Sequence, residues 1–227
     1  MPHIEYHERA VASHGDACGP AVLLVNEAPG PSEAASGVPS FGQQGANLFH
    51  ALRSAGIAWA TASQKFVWPK DGKLDQSDRH RLKAAFLDVR ARHLTCTNSF
   101  PRWPRPSGKL MGFCAPLDAD VCAPDNLKRL RSEIAPTHRA ILVCGRSAYL
   151  ACVGTVLQAP ASRDLSALTA PELEILNDRL GARFEQGWYM GHTRRWSTHG
   201  PRTASNLRSV ARFVGWKLVS DAAECGR

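Results

Sequence analysis

The sequence predicts an α/β fold: a three-layer α/β/α sandwich with a mostly parallel central sheet. Two observations carry this. Short apolar runs, AVLLV at 21–25 and AILVCG at 140–145, read as strands buried on both faces, and the short run LTCTN at 94–98 reads as a further strand. Stretches with helical spacing alternate with them and no internal repeat interrupts the order, so a single domain over 1–227 is expected.

Taken in order, AVLLV stops at Asn26-Glu27-Ala28-Pro29-Gly30-Pro31, and the Gly and Pro residues from Gly30 to Gly45 predict a long loop. Leu48, Leu52 and Ala55 then share a helix face that Gly56 ends. A polar stretch at 61–80 leads to RHRLKAAFLDVRARH, a helix with Leu82, Phe86 and Val89 on one face. LTCTN is followed by a Pro- and Arg-rich loop, SFPRWPRPSGKL. NLKRLRSEI is a helix stopped near Pro136, AILVCG a strand, GRSAYLACVG and PELEILNDRL helices, and GWYM a short strand. The last helix is expected from about Ala204 to Phe213. Sites in parallel sheets form beyond the carboxyl ends of strands, which brings Asn26 to Gly30, Thr97 to Ser99 and Cys144 to Ser147 to one rim.

Composition narrows the function classes. Hydrophobic residues at 44% and charged residues at 21% are globular values, and no apolar run approaches a membrane span. The start, MPHIEYHERA, lacks the apolar stretch of a signal peptide, so a soluble cytoplasmic protein is expected. The 28 Lys and Arg against 20 Asp and Glu leave +8, which makes a polyanion the first partner to consider. Seven cysteines without a CxxC pair argue for reduced thiols rather than a zinc site. Nucleotide-binding patterns of the GxGxxG and GxxxxGK type do not occur.

The motifs add a resemblance. VLLVNEAPGPSEAASGVPSFGQQGANLF, with Glu27 to Gly30 and Gly37 to Gly42, then Asn98 after LTCT, Cys144 to Ala148 and Thr198-His199-Gly200-Pro201, resembles the uracil-DNA glycosylase superfamily and, within it, family 4. The parts match in order over most of the chain. The resemblance implies an enzyme that flips a pyrimidine out of DNA and hydrolyses its N-glycosidic bond, leaving an abasic site. It implies catalytic roles for Glu27, which positions the water or the sugar, and for His199, which donates to the base oxygen; His192 is a rival seven residues upstream. Asn98 would read the base edge, with Asn26, Gly30, Ser40 and Phe41 around the base. Arg102, Arg194, Arg195 and Arg202 would contact DNA, with Arg202 or Thr203 entering the duplex and Trp188, Tyr189 and Trp196 interleaved among the basic residues. The plain alternatives stay open: a loop brace for Glu27, a turn residue for Asn98, a surface histidine and a solvated basic face. Glu33 is read as structural or helix capping.

Departures from the family pattern bear on substrate. Family 4 holds an iron–sulfur cluster on four cysteines; here Cys18 stands alone at the N-terminal pair, Arg102 occupies another position and Cys122 matches, so no cluster and no cofactor are expected. Asn26 replaces the motif's first Gly, Gly200 stands where Pro is usual, and the connection at about 57–95 is enlarged. Ser40 takes the place of a stacking Phe, with Phe41 beside it, and Gly30 takes the place of a Tyr. An enlarged pocket is the expectation, leaning to a bulky modified cytosine, such as glucosylated hydroxymethylcytosine of phage DNA, in anti-phage defence. Ordinary uracil repair and a non-catalytic DNA-binding relative are the alternatives, and a monomer is expected in each case.

Overall fold

The computed structural model describes residues 4–16, 19–62, 87–106, 114–155, 166–192 and 200–219. Strands β2 (Val22–Asn26), β3 (Leu94–Asn98), β5 (Ala140–Cys144) and β7 (Gln186–Met190) run parallel in the order β3-β2-β5-β7. The two-residue β6 (Ser166–Ala167) adds antiparallel to the outside of β7. Strands β1 (Ile4–Ala10) and β4 (Arg102–Pro106) form a separate antiparallel ribbon.

Alternate strand residues face opposite layers, because successive side chains of a strand point to opposite faces. Val22, Leu24, Leu94, Cys96, Leu142 and Met190 cluster with Leu48 and Leu52 of the helix Gln43–Ser54 and with Leu207 and Val210 of the helix Gly200–Val214. Leu23, Val25, Ile141, Val143 and Tyr189 cluster with Leu130, Ala148, Cys152, Leu176 and Leu180 from helices on the other face. Each fully buried aliphatic side chain contributes about 1.5–3 kcal/mol, so these two clusters hold the sheet between its helices. The result is the expected α/β arrangement of a parallel sheet with helices on both faces. Among the described residues, no helix is long and apolar enough to cross a membrane.

Five local readings change. AVLLV is not the first element: β1 precedes it, hidden because IEYHERA has no apolar run or clean alternation. Its partner β4 lies in the expected loop; a two-stranded ribbon leaves each strand an open edge, where Pro104 and Pro106 need no donor. The expected loop after β2 contains the helix Pro31–Ser36, started by Pro31 and capped by Glu33, whose carboxylate accepts from Gly30 N at 2.7 Å. The last helix begins at Gly200 rather than Ala204, which puts Arg202 and Thr203 in its first turn. Residues 87–91 are helical, yet Leu87 and Arg90 are buried there while Val89 is half-buried. Leu82, Phe86 and most of the enlarged connection lie outside the described residues.

Candidate active site

The carboxyl ends of β2, β3, β5 and β7 meet at one rim. Glu27 follows β2 and is nearly buried, with its Oε1 accepting from Ser147 N at 3.1 Å in the first turn of the helix Arg146–Val153. The positive end of that helix stabilises a carboxylate. Close approach requires Gly145, in the left-handed region at φ 91°, because a Cβ there would stand 2.5 Å from Glu27 Cδ. The main chain of Glu27 is fixed as well: its carbonyl accepts from Ser99 Oγ and from Phe100 N at 3.1 Å. His192, two residues past β7, brings Nε2 to 3.4 Å from Glu27 Oε2.

Asn26 and Asn98 end β2 and β3 in register, side by side on one face of the sheet. Asn98 is 0% exposed, and neither atom of its side-chain amide has a hydrogen-bond partner among the described residues. Its position is set through the backbone: Arg129 donates to the Asn98 carbonyl at 2.8 Å, and Asn126 donates to the Ser99 carbonyl at 2.7 Å. Asn26 donates from Nδ2 to Ser40 Oγ at 3.0 Å and to the Thr97 carbonyl at 3.4 Å. A main-chain carbonyl only accepts, so this contact fixes which way the Asn26 amide points. Its Oδ1 is buried without a partner among the described residues.

Ser40 is tied into the backbone network: it is 2% exposed, its N–H donates to Glu33 Oε1, its carbonyl accepts from Arg90 at 3.4 Å and its hydroxyl accepts from Asn26. Gly30 does leave space, since a Cβ there would meet only Glu33 Oε2, at an ordinary 3.5 Å. Phe41 is half-buried. Glu33 is structural and capping, as read; burial pushes its carboxyl up to about 7, against the pull of the Gly30 and Ser40 N–H groups and of Arg90.

The basic residues divide. Arg102 is exposed on β4, and Arg202 is exposed at the start of the last helix. Thr203 is fully buried, so it cannot enter a duplex from this position. Trp188 and Tyr189 are core residues rather than members of a surface cluster. Arg208 donates to the Ala55 carbonyl at 3.2 Å, tying the last helix to the end of Gln43–Ser54. Arg194, Arg195, Trp196 and His199 lie outside the described residues.

Among the described residues, no group of three or more His, Cys, Asp or Glu side chains is arranged to hold a metal ion, and Cys96, Cys114, Cys122, Cys144 and Cys152 are free thiols. The chain matches no family model and no curated protein. The rim therefore speaks through its own chemistry: a helix-anchored carboxylate, an imidazole beside it and two buried amides with open hydrogen-bonding capacity. Sequence reasoning missed the prominence of His192, although its place just past GWYM follows the same strand-end logic that singled out Asn98. It also missed Arg90, Asn126 and Arg129, whose polar side chains carry no motif.

Proposed function

We propose that this chain is a monofunctional DNA glycosylase that hydrolyses the N-glycosidic bond of a flipped base and leaves an abasic site. The observation that carries the reading is Asn98, a wholly buried amide at a strand end whose donor and acceptor both lack partners among the described residues. An unpaired buried polar group costs about 1–3 kcal/mol, and a base edge would satisfy both of its atoms. The order of motifs resembling the uracil-DNA glycosylase superfamily and the net charge of +8 support DNA as partner.

Cleavage develops positive charge on the sugar and negative charge on the departing base. Glu27, held on Ser147 N, supplies the carboxylate that orients a water and faces the oxocarbenium-like sugar. His192, which stands beside Glu27, is a candidate for donor to the base oxygen together with His199, which lies outside the described residues. Arg102, Arg194, Arg195 and Arg202 supply phosphate contacts, no cofactor takes part, and one copy acts alone in the cytoplasm.

For the base, the open groups at Asn26 and Asn98 amount to one amide donor and two acceptor oxygens. Cytosine presents an amino group with two hydrogens beside an unprotonated ring nitrogen, which matches that set. Uracil presents N3–H between two carbonyls, so Asn98 alone would pair with it and the Asn26 oxygen would face a carbonyl. This favours a cytosine-type base, and the space at Gly30 suits a bulky 5-substituent, such as the glucosylated hydroxymethylcytosine of phage DNA, consistent with defence. The test is incubation with duplexes carrying uracil, hydroxymethylcytosine or its glucosylated form, read as alkali-labile breaks. Breaks at a cytosine derivative support the reading; breaks at uracil alone return it to repair, and no breaks at any base make the chain a DNA-binding relative.

A further inference from the structure

A guanidinium out of reach of water is tolerated only where hydrogen bonds replace its hydration. Arg90, on the helical segment 87–91, is 0% exposed. It donates to the Pro39 carbonyl at 3.1 Å and the Ser40 carbonyl at 3.4 Å, and its Nη2 meets His14 Nδ1 at 3.2 Å. Ser40 is the one non-glycine among the described residues with a positive φ, 54°. Such a conformation persists only where its surroundings over-determine it. Here the Ser40 N–H is held by Glu33, its carbonyl by Arg90, and the helix Gln43–Ser54 packs so close that a Cβ at Gly45 would run into that same carbonyl.

We infer that Arg90 is a positioning residue: by holding Ser40 left-handed it turns the Ser40 hydroxyl onto Asn26 Nδ2, which leaves Asn26 Oδ1 as the fixed acceptor beside Asn98. The catalytic consequence rests on the glycosylase reading; the clamp itself does not. Without Arg90 the Ser40 carbonyl loses its donor, the backbone relaxes out of the left-handed region, and Asn26 keeps only the longer 3.4 Å contact to the Thr97 carbonyl, so its amide is held less tightly in one orientation. An amide that can present either its oxygen or its nitrogen accepts both an amino-bearing base and a carbonyl-bearing one, so base selectivity falls while attack at the sugar continues.

Two assays on the full chain separate the clamp from the reading it serves. Amide hydrogen exchange at Ser40 reads the clamp without any substrate, and single-turnover excision of a cytosine derivative against uracil reads selectivity. In Arg90→Met and Arg90→Lys, Ser40 exchange should rise about tenfold or more while Leu142 in β5 is unchanged, and the ratio of the two excision rates should fall about tenfold. Arg90→Lys, which keeps the charge without the fork, decides the matter where Arg90→Met does not fold. Ser40→Gly adopts the same backbone without strain but lacks the hydroxyl, so it should keep exchange protection and still lose selectivity. Wild-type protection at Ser40 in the Arg90 variants, or an unchanged ratio, overturns the inference. If wild type cuts no base while Ser40 protection falls in the variants, the clamp stands and the glycosylase reading is what fails.

Discussion

The two faces of β3 both bury polar side chains, and they treat them differently. On one face, Thr95 Oγ1 meets His138 Nε2 at 3.0 Å, and Thr97 donates to Glu133, which is itself paired with Arg129 at 2.9 Å. On the other, Asn98 is as deeply buried with its amide unmatched among the described residues. The first face behaves as a stable interior does, where buried polar groups find partners. The second gives up stability at the strand end where the carboxylate and imidazole stand, which is the pattern of a surface shaped for something other than folding.

Substitutions on the two faces should therefore separate activity from stability. The largest effect is expected from Glu27→Gln, which should lower single-turnover excision by about 10³-fold with duplex affinity unchanged. Excision at the wild-type rate would reduce Glu27 to a loop brace.

Next, Asn98→Leu should lower excision about 10²-fold and leave the urea midpoint unchanged or raised, since it removes a buried amide at similar volume. Thr97→Val should do the reverse, losing about 1–2 kcal/mol because the Glu133 carboxylate loses its hydroxyl donor, with excision intact. Equal destabilisation by the two would erase the contrast between the faces.

A third effect concerns pH. Burial holds His138 down at about 4, below its ordinary 6.5, so its contribution to stability is full above 6.5 and is lost as pH falls toward 4. Glu33, raised from 4.5 to about 7, has the opposite sign: its contribution is full below 4.5 and is lost as pH rises through 7. The two shifts are similar in size and opposite in sign, so they largely cancel between pH 4.5 and 6.5. Urea unfolding across that window should show stability rising with pH in Glu33→Gln and falling with pH in His138→Gln. Parallel profiles in the two variants would contradict the assignment.

The smallest effect is expected at the exposed Arg102. Arg102→Ala should weaken duplex binding by about threefold for every sequence and reduce the salt slope by about one. Binding with an unaltered slope would remove β4 from the DNA face.

Legibility in the sequence followed burial. The parallel strands β2 and β5 were readable because a strand covered on both faces is apolar throughout, as VLLV and AILVC are. The β1–β4 ribbon was not, because its polar and proline-rich residues satisfy no periodicity, and the helix Pro31–Ser36 was masked by flanking glycines and prolines that also mark loops. At the site, Asn26, Glu27 and Asn98 followed from their places at strand ends. Arg90 could not be found that way, since a charged residue in an amphipathic pattern reads as solvent-facing. The left-handed backbone of Ser40 was not legible either, because side-chain size is visible in a sequence and a backbone conformation is not.

The strand that carries Asn98 is also an outer strand of the five-stranded sheet. Open outer strands are templates on which other chains can add and aggregate. Here, among the described residues, one antiparallel bridge guards it: His14 N donates to the Cys96 carbonyl and Cys96 N to the His14 carbonyl, each at 2.9 Å. Proteolytic loss of the segment before β2 would strip that guard from a strand buried along its whole length, exposing a sticky edge next to the rim. The same short segment that contributes no residue to the chemistry thereby decides whether the sheet ends at β3 or keeps growing.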